Sequence, residues 1–124
     1  MMVDKRAVGR FGEDLAASYL TQVGYMVLQR NYRRADGEID IVAQDGGRLA
    51  FVEVRTRRSR SYGTAKESIS TRKQQRLANV ARMYLQECGL EDVEWGIDVV
   101  AVELGPKGAL KSLELIRNAV AEEI

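Results

Sequence analysis

Apolar residues recur at two spacings along this chain, and the changes between them divide it into elements. Over residues 5–23, Val8, Phe11, Leu15, Tyr19 and Val23 return every three or four positions, which predicts an amphipathic helix. Asp4 suits its N-cap and Gly24 the position just past its end. Residues 25–33 then read as a strand, Asp36-Gly37 as a turn, and residues 38–44 and 49–56 as a hairpin around Asp45-Gly46-Gly47-Arg48. Helical spacing returns at Leu77, Val80, Ala81, Tyr84 and Leu85, which predicts a helix from a Thr71 cap to about Cys88, ended by Gly89. The polar, basic stretch 57–70 reads as a loop with a short turn of helix. Residues 95–104 form an apolar strand, Gly105-Pro106-Lys107-Gly108 a turn and 110–116 a last strand, and the tail from Asn118 is weakly patterned. Helix, three-strand meander, helix and hairpin in that order predict an α/β fold, a mixed sheet with helices packed on it.

The hairpin carries the first sign of chemistry. A loop at Gly46-Gly47 sets Ile41 opposite Val52, Ile39 opposite Val54 and Ala43 opposite Ala50, one continuous apolar face. On the other face Val42 opposes Phe51, Asp40 opposes Glu53 and Glu38 opposes Arg55. Two carboxylates set directly opposite repel each other, and partial burial beside Val42 and Phe51 worsens the repulsion. Either both acids stand in solvent, or a divalent cation between them turns repulsion into coordination. Arg55 adds a cation two residues beyond Glu53 on the same face. Acids for a metal, a neighbouring cation and a basic surface make a set suited to phosphodiester hydrolysis.

Composition narrows the choice. At 124 residues the chain suits one domain. It contains no histidine and one cysteine, so zinc held by His or Cys, His acid–base catalysis and an internal disulfide are excluded. Cys88 reads as a small packing residue. A metal here needs oxygen ligands, which points to Mg²⁺ or Mn²⁺. Net charge is only +1, but residues 55–76 carry eight basic groups (Arg55, Arg57, Arg58, Arg60, Lys66, Arg72, Lys73, Arg76) against Glu67, whereas 87–124 carry nine acids against three bases. The first segment is either a solvated face or a surface for a polyanion such as DNA. The N-terminus lacks an apolar signal core and no window approaches a membrane span, so a cytoplasmic location is expected.

Several motifs closely resemble the YraN-like bacterial family: Gly9-Arg10-Phe11-Gly12-Glu13-Asp14-Leu15-Ala16, Gly37-Glu38-Ile39-Asp40-Ile41-Val42-Ala43, Phe51-Val52-Glu53-Val54-Arg55-Thr56-Arg57, Tyr62-Gly63, Lys73, Asp98-Val99-Val100 and Asn118-Ala119. The family is similar to archaeal Holliday-junction resolvases and to the wider PD-(D/E)xK nucleases. The resemblance implies a restriction-endonuclease-like fold and a Mg²⁺- or Mn²⁺-dependent endodeoxyribonuclease acting on branched or structured DNA. It implies Asp40, Glu53 and Glu13 as metal-binding acids and Asp40, Glu53, Arg55 and Lys73 as the catalytic set. Arg57, Arg58, Arg60, Lys66, Arg72, Lys73 and Arg76 would contact nucleic acid, and a homodimer would serve two symmetric cuts.

Glu13 has the alternative of an ordinary solvent-facing helix residue, and Lys73 that of a surface cation. Asp98, inside an apolar strand, reads as a structural hydrogen-bonding residue. Tyr62 and Trp95 can stack on bases, though Trp95 also suits core packing. Arg55 stands where the superfamily usually has lysine. An arginine stays protonated and can hold a phosphate, but it cannot help deprotonate water. A nucleic-acid-binding domain with weak or no cleavage is therefore the competing reading.

Overall fold

The computed structural model describes residues 5–58 and 69–120. The elements run α1 (Lys5–Gln22), β1 (Met26–Arg34), β2 (Gly37–Asp45), β3 (Arg48–Arg57), α2 (Thr71–Glu87), β4 (Glu94–Leu104) and β5 (Leu110–Ile116). The five strands form one sheet in chain order. Neighbours are antiparallel except β3 and β4, which run parallel from Arg48↔Glu94 to Arg57↔Glu103. A parallel step needs a crossover, and the stretch containing α2 supplies it. This is the mixed α/β sheet with helices that the pattern predicts, consistent with a restriction-endonuclease-like fold. No helix among the described residues is long and apolar enough to cross a membrane.

Local signals act largely as expected. Gly24 and Gly89 follow their helices with φ of +103° and +66°, the left-handed turn that glycine adopts without a Cβ penalty. The cap of α2 is Ser70 rather than Thr71: its side chain accepts a hydrogen bond from the Lys73 N–H at 3.1 Å. Asp4 lies outside the described residues, as does the stretch 59–68 with Arg60, Tyr62, Gly63 and Lys66.

Each helix covers one face of the sheet. Leu77, Ala78, Val80, Ala81, Tyr84 and Leu85 of α2 are buried in a core with Val42, Phe51, Ile97 and Val99. On the opposite face Ala16 and Leu20 of α1 join Ile41, Ala43, Ala50, Val52, Val100 and Val102. Both faces of the central strands are therefore dry, whereas the hairpin pattern predicts one apolar face and one partly covered. The buried stripe of α1 is Gly12, Ala16 and Leu20, one position along from the predicted stripe, and it leaves Phe11 43% and Val23 40% exposed. Small residues win here because α1 lies hard against β3: a Cβ on Gly12 would fall 2.0 Å from Thr56 Oγ1. Of the expected tail, Ala119 and Val120 are buried, and the Ala119 N–H donates to the Ile97 carbonyl at 2.8 Å.

Candidate metal centre and its basic surround

The hairpin keeps the expected register from Asp45↔Arg48 to Ile41↔Val52, and the pairing ends there. Beyond it the Asp40 carboxylate, not a main-chain carbonyl, accepts the Val54 N–H at 2.8 Å. Side-chain alternation breaks at the same place. Ile41 lies in the α1 core and Ile39 in the α2 core, although a regular strand would put both on one face. On β1, Tyr32 pairs with Ile39 and Arg30 with Ile41. Between them Asn31 has a φ of +56°, uncommon for a residue with a side chain and best tolerated by Asn or Asp. The β1–β2 register continues across this point, but the β2–β3 pairing stops at it, and there the acids collect.

Glu13 of α1 and Glu38 and Asp40 of β2 each place a carboxylate oxygen so that all three lie within 4.8 Å of one another. The donors are all oxygen, the set a hard divalent cation takes. Asn31 spans the cluster: with its amide nitrogen turned inward it donates to Glu38 Oε1 at 2.9 Å and Glu13 Oε1 at 3.2 Å. That orientation follows from satisfying the hydrogen bonds.

Glu53 lies next to Asp40 but outside this trio, and it is only 4% exposed. Lys73 Nζ reaches its Oε2 at 3.3 Å and Arg55 Nη1 at 3.8 Å. Lys73 is carried there by the first turn of α2, its side chain 42% exposed. Burial, then the charge of Glu53, push the Asp40 pKa up to about 8, against the lowering effect of the Val54 N–H; a hydrogen bond with Glu53 and the charge of Glu13 add to the rise. The repulsion anticipated from the hairpin is thus one of the causes that keep the proton on Asp40 well above the usual carboxylate range.

The predicted opposition of Glu38 and Arg55 does not occur. Glu38 Oε2 accepts from Arg33 Nε at 2.5 Å, and Arg55 turns to Glu53. The reason is the lost register, since the Asp40–Val54 bond separates the strands before that pair can form. Glu38 is the acid that reading by register assigns to the wrong partner. Asn31, a poor strand former in the middle of β1, is the signal that strand irregularity left in the sequence.

Cations surround the acids on two sides. A groove of about 620 Å³ runs past Glu13, Asp40, Arg55, Thr56 and Arg58, and a smaller recess joins Glu38 to Lys73 and Arg76 of α2. Arg72, also on α2, is exposed, and Arg57 ends β3.

Asp98 is apart from this site and fully buried. It accepts from Tyr25 Oη at 2.7 Å, from Arg48 Nη1 and Nη2 at 3.1 and 2.5 Å, and from the Asn118 N–H at 2.9 Å, the structural role its strand position suggests. Trp95 packs edge-on against Phe51 at 5.7 Å between centroids.

Comparison with known proteins follows this geometry. The model of "Uncharacterised protein family UPF0102" matches residues 12–102, a span holding all four acids and Lys73. A UPF0102 protein of Symbiobacterium thermophilum is 52% identical over 114 residues, 92% of this chain and 96% of that protein. One of Dehalococcoides mccartyi is 46% identical over 123 residues, 99% and 100% of the two chains. One of Moorella thermoacetica is 44% identical over 119 residues, 96% and 99%.

Proposed function

The chain belongs to the UPF0102 family, the YraN-like family its motifs resemble, and we propose that it is a Mg²⁺- or Mn²⁺-dependent endodeoxyribonuclease acting on branched or structured DNA. One observation carries the reading: Glu13, Glu38 and Asp40 converge within 4.8 Å beside a buried Glu53 held by Lys73 at 3.3 Å. Acids gathered at this density cost stability unless a cation is to be held there. A divalent cation would neutralise charge on a scissile phosphate and lower the pKa of a water molecule.

The chain's own residues do the rest. Glu13, Glu38 and Asp40 would hold the cation. Glu53 fixes Lys73 and Arg55 over the site, and these two cations can meet the charge that develops on the phosphate in the transition state. Arg55 cannot give up its proton, and Lys73 places a primary amine near the same carboxylates from a different element. Arg57, Arg58, Arg72 and Arg76 would bind the DNA backbone.

The test is cleavage of four-way junction, flap, single-stranded and linear DNA with Mn²⁺. Wild type should cut at least one structured substrate, and Asp40→Asn should cut at least about 100-fold more slowly, an effect of several kcal/mol in barrier. Equal rates for the two would overturn the reading. Arg55 in the lysine position favours a second reading, a domain that grips DNA without cutting it. Salt-dependent binding without cleavage, and cleavage gained in Arg55→Lys, would support that one.

A further inference from the structure

Arginines outside the basic segment face the acids from the other side. A groove of about 720 Å³ between α1 and β1 is lined by Arg6, Arg10, Arg30 and Arg33 together with Glu13 and Glu38. Arg6 and Arg10 stand four residues apart on α1, hence on one side of the helix. Arg30 and Arg33 come from β1, beside the Asn31 irregularity. Guanidinium groups along a groove suit a phosphodiester backbone, which they can hold bidentately.

Two of these arginines are engaged with the acid cluster itself. Arg33 Nε lies 2.5 Å from Glu38 Oε2, and Arg30 Nη2 lies 3.5 Å from Glu13 Oε1 and 2.8 Å from Asp14 Oδ1. Glu13 and Glu38 are two of the three acids that would hold a divalent cation. Guanidinium and metal ion would therefore compete for the same carboxylates. The Arg33 side chain is 74% exposed, so it can leave Glu38 and turn into the groove without breaking any packing.

We propose that Arg33 is a DNA-backbone contact controlled by the metal centre. Without metal it serves as a counter-ion to Glu38; with metal it is released to the DNA phosphates in the α1–β1 groove, where Arg30, held chiefly by Asp14, already stands. This rests on the metal-dependent reading above and extends it. Metal and DNA then bind with positive coupling, and the coupling is reciprocal. Surface ion pairs are weak, and freeing one contributes about three- to fivefold in affinity.

The experiment uses the full chain in two titrations. Mn²⁺ alone is titrated calorimetrically into wild type and Arg33→Gln. A labelled four-way junction is titrated by anisotropy with and without Ca²⁺, at several salt concentrations. Arg33→Gln should bind Mn²⁺ about three- to fivefold more tightly than wild type, because a competing cation is gone. It should bind the junction more weakly when Ca²⁺ is present, with the slope of log K against log salt smaller by about one, and differ little from wild type without Ca²⁺. Arg10→Gln should weaken junction binding by a similar factor with and without Ca²⁺.

Unchanged or weaker Mn²⁺ binding in Arg33→Gln would overturn the proposal, and so would a loss of junction affinity equal in both conditions. Circular dichroism separates either result from misfolding. Absence of Mn²⁺ binding by wild type would instead refute the metal-dependent reading itself.

Discussion

Replacing Asp40 with asparagine should stabilise the metal-free protein at pH 8 while abolishing its response to metal. The folded-state pKa of Asp40 is raised to about 8 from an ordinary value of 3.8, chiefly by burial and the Glu53 charge. In the unfolded chain the proton leaves near pH 4, whereas in the fold it stays until about pH 8. Between these values the unfolded state binds fewer protons, so stability falls as pH rises. The gap of about four pH units, at about 1.4 kcal/mol each, sets a ceiling near 6 kcal/mol.

Water reaching the groove screens the Asp40 charge, so the realised effect falls well below that ceiling. About 2 kcal/mol is the expected loss between pH 5 and 8, near 8 °C in melting temperature for a domain of this size. Asparagine keeps an oxygen for the Val54 N–H and offers Glu53 a donor that needs no proton. Melting of chelator-treated protein from pH 5 to 9 should show wild type declining and Asp40→Asn nearly flat, with the variant more stable at pH 8. Mn²⁺ should restore wild type and leave the variant unmoved. A variant that tracks wild type at every pH, or that is less stable at pH 8, would refute the argument.

Other perturbations follow from the packing and the charges. Gly12→Ala places a Cβ 2.0 Å from Thr56 Oγ1 and 3.1 Å from Thr56 Cβ, so it should cost about 1–3 kcal/mol in urea unfolding, with part of the loss recovered in a Gly12→Ala/Thr56→Ala double variant. Asp98→Ala removes the buried acceptor shared by Tyr25, Arg48 and the Asn118 N–H and leaves Arg48 only Asp45 at 3.4 Å and the Asn118 side-chain oxygen at 2.8 Å, so it should cost about 3 kcal/mol; a loss under about 1 kcal/mol in the same assay would contradict the network described. The Glu87 pKa is held down at about 2, first by its hydrogen bond with Arg34 and then by Tyr32. Its contribution is therefore present above pH 4.5 and lost as pH falls toward 2, so acid unfolding of Glu87→Gln should begin from a less stable protein and show a shallower dependence on pH.

Much of the fold was legible in the sequence because its causes are local. Glycines past both helices, Gly46-Gly47 between two apolar runs and the stripe of α2 each act through nearest neighbours. Every strand appears where the period-two and apolar patterns put it. The face of α1 was misjudged because hydrophobicity ranks Phe11 above Gly12, whereas contact with Thr56 selects for lack of volume. That contact joins residues 44 positions apart, beyond any local pattern. Metal-type acids, the repulsion of Asp40 by Glu53 and the basic segment were likewise readable in composition and hairpin register.

Tertiary structure decided which acids meet. Register arithmetic assumes that the ladder continues, and it paired Glu38 with Arg55. The Asp40 carboxylate takes the Val54 N–H, the alternation turns over between Ile39 and Ile41, and Glu38 swings to Arg33, Asn31 and Glu13 instead. Lys73 reaches Glu53 only because α2 begins beside that point. Residue order in the hairpin suffices to crowd two mutually repelling carboxylates together. The packing of α1, β1 and α2 around the interrupted ladder decided which third acid, which amide and which cations answer that repulsion, because those groups are brought together by contacts that no spacing along the chain encodes.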